Sequence, residues 1–204
     1  MTTETHARRE LEFWFEFAST YSYLSVMRIE PLAASRGVTV VHRPFLLGPI
    51  FREAGWSTSP FLVYPQKGAY MWRDMERQCK KFGLSWRQPT GFPRNSLLPM
   101  RVATLGVDQP WISDFCKAIM LENFTQDADI GAEACVAAVL ERLGLPAAQI
   151  LDAARFESTK LALRSRTDLA RSRGVFGAPT FFVGDEMFWG NDRLEDAIEL
   201  ADAR

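Results

Sequence analysis

The chain has 204 residues, 47% of them apolar and 24% charged, with a formal charge of −1. That length can bury a good core, and that balance is ordinary for a soluble globular protein. A charge so close to zero gives no footing for nucleic acid or an anionic membrane, no apolar run approaches a membrane span, and the opening MTTETHARRE lacks the apolar segment of a secretory signal, so a cytoplasmic location is expected.

In chain order, apolar alternation marks a strand over residues 11–17 and another over 38–45. Residues 21–36 between them read as a helix closing at Gly37, with a break expected near Pro31. This is a βαβ unit with parallel strands. Gly, Pro and Ser then crowd LLGPIFREAGWSTSPFLVYP, which reads as a long loop. Over residues 67–82 Met71, Met75, Cys79 and Phe82 share one helical face, and Gly83 stops the helix. After the loop RQPTGFPRNS, helical windows follow at 96–105, 111–123, 132–143, 146–154 and 157–173. Two short strands, PTFFVGD and EMFWG, flank a turn at Gly184-Asp185, and a last helix starts near Asn191-Asp192. The order βαβ, helices, ββα fits an α/β, thioredoxin-like fold with a large all-helical insertion. Residues 1–45 and 174–204 would form the discontinuous thioredoxin-like domain, and 46–173 the helical insertion.

Several chemistries are disfavoured. Cys79, Cys116 and Cys135 are too far apart for a Cys-x-x-Cys pair or a metal clip, and each falls in a helical pattern, as a buried inert thiol does. The two histidines, His6 in the tail and His42 in a strand, leave a catalytic triad or a His-based metal site without members, so no metal is expected. Asp127 and Asp129 are read as caps of the following helix.

Three segments can carry chemistry. The first is the strand-to-helix junction Ala18-Ser19-Thr20-Tyr21-Ser22, where Ser19 is a helix cap or, with the open amides of the first turn, a hydrogen-bond donor to a bound thiolate. The second is GVFGAPT, where Ala178 precedes Pro179 at a strand start; a cis bond there would turn the Ala178 backbone outward to pair with an extended peptide. The third is Trp189-Gly190-Asn191-Asp192, in which Asp192 and Glu195 match a capping box, while Asn191, Asp192 and the helix amides could also hold a charged amino-acid end. In a thioredoxin-like layout all three meet at one end of the sheet. Glutathione, with its thiol, two peptide units and zwitterionic γ-glutamyl end, matches them part for part.

At FEFASTYSYL and GVFGAPTFFVGDEMFWGNDRL the chain resembles the 2-hydroxychromene-2-carboxylate isomerases, which are related to kappa-class glutathione transferases and more distantly to bacterial disulfide oxidoreductases. The resemblance implies that Ser19 binds the glutathione sulfur, Ala178 pairs with its backbone, and Trp189, Gly190, Asn191 and Asp192 contact its γ-glutamyl end. It implies a glutathione-dependent isomerase of an aromatic chromene-carboxylate or benzylidenepyruvate-type substrate, acting as a homodimer by thiolate addition, bond rotation and elimination. Two departures stand out. Thr20 replaces the family's proline, and Phe51 stands where a substrate-binding lysine would be placed. Phe51, Lys67, Phe92, Arg94 and Asn95 are the candidate substrate pocket, with Lys67 or Arg94 serving a carboxylate. The alternatives are a glutathione transferase or reductase using the same thiolate, and a non-catalytic thiol- or peptide-binding module.

Overall fold

The computed structural model describes residues 9–204, so His6 lies outside the described residues. Four strands form one mixed sheet in the order β2-β1-β3-β4. β1 (Glu10–Phe15) and β2 (Thr39–Pro44) run parallel, while β3 (Thr180–Val183) is antiparallel to β1 and to β4 (Glu186–Trp189). The α/β thioredoxin-like class expected from the element order is therefore borne out.

The period-2 pattern sorts the strands' side chains between two cores. Leu11, Phe13, Phe15, Phe181 and Val183 join the larger one, with Tyr23, Leu24, Phe115 and Ile198. Trp14 and Phe182 face the other way, onto Phe45, Leu47, Ile50, Ala170 and Val175. β1 ends at Phe15 rather than at residue 17, because the chain then turns: the Ser19 N–H donates to the Glu16 carbonyl at 3.0 Å.

The crossover between β1 and β2 is two helices, α1 (Thr20–Val26) and α2 (Ile29–Ala34). The break falls at Met27-Arg28 and not near Pro31. Pro31 sits in the first turn of α2, where its missing N–H is not needed. The expected long loop after β2 contains two short helices, α3 (Leu47–Glu53) and α4 (Pro60–Val63). Pro49 and Pro60 occupy first turns, Ser59 caps α4 by accepting from the Phe61 N–H at 3.3 Å, and burial of Leu47 and Ile50 holds α3 on the second core.

α5 (Pro65–Phe82) buries Met71, Met75 and Cys79 and stops at Gly83, whose φ of +66° suits glycine. Then come α6 (Leu97–Gly106), α7 (Ile112–Phe124), α8 (Glu133–Arg142), α9 (Ala147–Arg155) and α10 (Glu157–Ser172), each within a residue or two of its expected window. The aspartates before α8 do not cap it. Asp127 instead accepts from the Thr90 N–H at 2.8 Å and from Arg94, and Asp129 accepts from the Gly131 N–H at 3.0 Å. After β4 a 3-10 turn (Asn191–Arg193) leads into α11 (Leu194–Asp202). The expected capping box does not form. Asp192 faces Arg193 at 3.3 Å, and Arg28 takes Glu195 at 2.5 Å, a charged partner stronger than a backbone N–H.

No described helix is long and apolar enough to cross a membrane. Among the described residues no group of His, Cys, Asp and Glu is placed to hold a metal ion.

Candidate active site

The turn that ends β1 delivers Ser19 to the start of α1. Its Oγ accepts from the Ser22 N–H at 3.2 Å, so it is the helix cap, and it also donates to the Ala178 carbonyl at 3.0 Å. Cap and cross-groove donor are thus one hydroxyl. Thr20, at the position of the absent proline, is fully inside: its Oγ1 donates to Met71 Sδ at 3.2 Å, anchoring the first turn of α1 to α5. The Thr20 and Tyr21 N–H groups donate to no described residue.

Opposite Ser19, the Ala178-Pro179 bond is cis and the Ala178 N–H donates to no described residue. Pro179 lies buried behind Ala178 and accepts from the Gly190 N–H at 2.9 Å, which ties this loop to the segment before α11. There Asn191 Oδ1 accepts from Ser25 Oγ at 3.1 Å and Arg28 at 3.3 Å. Because an Arg only donates, this identifies the inward atom as the oxygen, and the amide nitrogen has no partner among the described residues. Arg28 also lies 3.6 Å over the Phe82 ring, so its place is set from three sides. Trp189 is 52% exposed and packs on Phe176, ring centres 4.8 Å apart; a Cβ at Gly177 would fall 2.4 Å from the indole nitrogen, so a larger residue there would have to displace Trp189.

These residues line one cavity of about 1440 Å³. Ser19, Ala178, Trp189, Gly190, Asn191 and Asp192 form one flank. Phe51, Lys67, Phe92, Arg94 and Asn95 also line it, so every predicted site residue reaches the same space except Pro179, which supports the wall from behind. Arg94 is not a free charge. Its guanidinium is bound to the Asp127 carboxylate and carbonyl, and that carboxyl is held below the ordinary range chiefly by the Thr90 N–H, with Arg94 and Arg87 adding to it. Asn95 accepts from the Leu97 N–H at 3.0 Å. Lys67 is exposed, with no ion pair among the described residues and its Nζ 5.8 Å from the Tyr64 ring centre.

Burial pushes the Cys79 thiol up to about 12 and raises Cys116 and Cys135 as well, so none offers a thiolate near neutral pH. Sequence reasoning missed Glu16. It is 6% exposed, lines the cavity, and accepts at Oε1 from Ser96 Oγ and from the Ala18 N–H at 3.3 Å. Burial raises its carboxyl to about 7, against the smaller lowering from those two donors. The signal was an acid three residues before Ser19 in the otherwise apolar run FWFEFA.

A 2-hydroxychromene-2-carboxylate isomerase from Sphingobium xenophagum is 29% identical over 188 residues, covering 92% of this chain and 95% of the relative. A glutathione S-transferase kappa 1 from Rattus norvegicus is 25% identical, covering 93% of this chain and 89% of the relative. A solved structure of a selenomethionine 2-hydroxychromene-2-carboxylate isomerase superposes with a TM-score of 0.85 at 26% identity, covering 96% of this chain and 95% of the other. The resemblance to the isomerases is therefore borne out. With its strands, helical block and proline loop all inside the match to a DSBA-like thioredoxin domain over residues 10–200, the chain belongs to the DSBA-like thioredoxin domain family.

Proposed function

We propose that the protein is a cytoplasmic, glutathione-dependent isomerase of an unsaturated aromatic keto-acid, of the chromene-carboxylate or benzylidenepyruvate type, working as a homodimer. The observation that carries this is the Ser19 hydroxyl, placed in the groove at the redox position of the fold with no cysteine among the described residues that line the cavity. The sulfur then comes with the cosubstrate.

Glutathione lies along the flank formed by Ser19, Ala178 and the Trp189–Asp192 segment. Its backbone pairs with the open Ala178 N–H, and its γ-glutamyl end meets the Asn191 amide nitrogen and the Asp192 carboxylate. When the sulfur arrives, Ser19 exchanges one acceptor for another: its O–H turns from the Ala178 carbonyl to the thiolate. The thiolate adds to the conjugated double bond, which becomes single and rotates. Elimination returns glutathione and the other isomer. Phe51 and Phe92 flank the aromatic ring, and Lys67, rather than the already paired Arg94, meets the substrate carboxylate.

A hydrogen bond to a charged group contributes about 1.5–3 kcal/mol, so Ser19→Ala should raise the bound thiol's pKa by about 1–2 units and slow turnover about 10- to 100-fold. Titration of glutathione thiolate absorbance on both proteins reads this directly; an unshifted thiol on the wild type sinks the proposal. Asp192 has a side chain 73% exposed. Asp192→Asn should therefore weaken glutathione only about two- to fivefold, as an exposed pair of about 0.2–1 kcal/mol implies. Calorimetry at low and high salt checks it, and the difference should shrink with salt.

The same bound thiolate would also serve a transferase, and the kappa-class relative at 25% identity favours keeping that reading. Conjugates accumulating from an electrophile, with no isomerisation of an unsaturated keto-acid, would select it.

A further inference from the structure

Among the described residues Glu16 is the one buried acid on the groove wall, and the mechanism above does not use it. Its carboxyl is asymmetric. Oε1 takes the hydrogen bonds from Ser96 and the Ala18 N–H, whereas Oε2 takes none from the described residues. It has no ion pair among the described residues, although arginines and lysines line the same cavity. Several polar groups on the elements around it are otherwise engaged. Tyr21 of α1 donates to Asp74 of α5 at 2.9 Å, Arg94 beside Ser96 is bound by Asp127, and α7 presents the neutral Asn123, which donates to the Phe17 carbonyl at 2.9 Å. Glu16 is also rigidly coupled to Ser19, whose N–H donates to the Glu16 carbonyl at 3.0 Å. A structural carboxylate buried this deeply would be expected to face a cation. This one faces the groove instead.

We propose that Glu16 is a catalytic residue, the acceptor for the proton that the glutathione thiol gives up in the groove. This rests on the glutathione reading above. The S–H bond breaks with its electron pair left on sulfur, and the proton forms an O–H bond at Glu16 Oε2. When glutathione leaves as the thiol, the proton returns to sulfur and Glu16 is again a carboxylate. Ser19 donates to the thiolate and Glu16 stores its proton, so two residues three apart divide the work.

The test is the number of protons exchanged with the buffer on glutathione binding at pH 8, measured by titration calorimetry in buffers of different ionisation enthalpy, alongside thiolate absorbance. A thiol of pKa about 8.5 is roughly three-quarters protonated at that pH. Internal transfer to Glu16 predicts a thiolate signal on the wild type with almost no proton released. Glu16→Gln, which keeps an acceptor for Ser96 and the Ala18 N–H, should either release roughly three-quarters of a proton per site or lose the thiolate signal while still binding. Ser96→Ala removes a hydrogen bond that favours the carboxylate, so Glu16 becomes the stronger proton acceptor and the bound-thiolate titration should move downward. A wild-type thiolate signal with full proton release, unchanged in Glu16→Gln, overturns the proposal and leaves the glutathione site standing. Absence of glutathione binding removes both.

Discussion

Glu16→Gln is expected to be more stable than the wild type at pH 8 by about 3 kcal/mol and equal to it near pH 4. In the folded protein this carboxyl titrates at about 7, against 4.5 for the ordinary value, because burial disfavours its charge. Its folded pKa is raised, so the folded state holds a proton the unfolded chain has lost. The associated stability is complete below pH 4.5 and is lost as pH rises to 7. His42 works in the opposite sense. Burial lowers its ring to about 4 from 6.5, despite Glu30 lying 3.5 Å from Nε2, so the contact is made by a neutral imidazole. That contribution is complete above pH 6.5 and lost as pH falls to 4. Between pH 4.5 and 6.5 the two slopes cancel, and the wild type should show a nearly flat profile. Urea unfolding across this range decides the matter. Glu16→Gln should expose the His42 slope, with stability rising with pH by about 3 kcal/mol; a variant profile as flat as the wild type's would show that the carboxyl is not held protonated.

The second large effect lies in the sheet. Phe13 is fully buried in β1, its ring centre 5.0 Å from Phe15, 5.4 Å from Phe181 and 6.1 Å from His42. It joins the strand that leads to Ser19 to the strand that follows Pro179. Phe13→Ala should cost about 3–5 kcal/mol, a large part of a typical domain's total. Phe156, at 62% exposed, provides the control, since the same substitution there should change stability by about 0.5 kcal/mol or less. Denaturant midpoints for the two variants would separate them. Equal losses would contradict the stacked-aromatic account of the core.

Where local pattern and tertiary packing agree, the fold was legible. The alternation of Leu11, Phe13 and Phe15, the face of Met71, Met75 and Cys79, and the glycines at 37 and 83 all behave as their spacing demands. Misreadings arose where partners distant in sequence decide. Leu47 and Ile50 make a helix of a Gly- and Pro-rich stretch only because Trp14 and Phe182 lie beneath them. Arg28 draws Glu195 away from a capping box, and Thr90 and Arg94 draw Asp127 away from a cap. That Ser19, Ala178 and Asn191 line one cavity was readable from motif order, since thioredoxin topology brings them to one end of the sheet. Glu16 was not, because its burial depends on Ser96, which is eighty positions away.

The bond between Ser19 and Ala178 spans 159 positions of sequence. One side of the groove belongs to the first strand and helix, the other to a loop that reaches its place only when β3 has docked against β1. Contacts of such separation close late, after the helices between them have formed locally. The groove is thus a record of completed folding. A chain with its helices in place but its last strands undocked would carry most of its secondary structure and none of its groove, so any ligand held across the groove would select finished molecules and add to their stability alone.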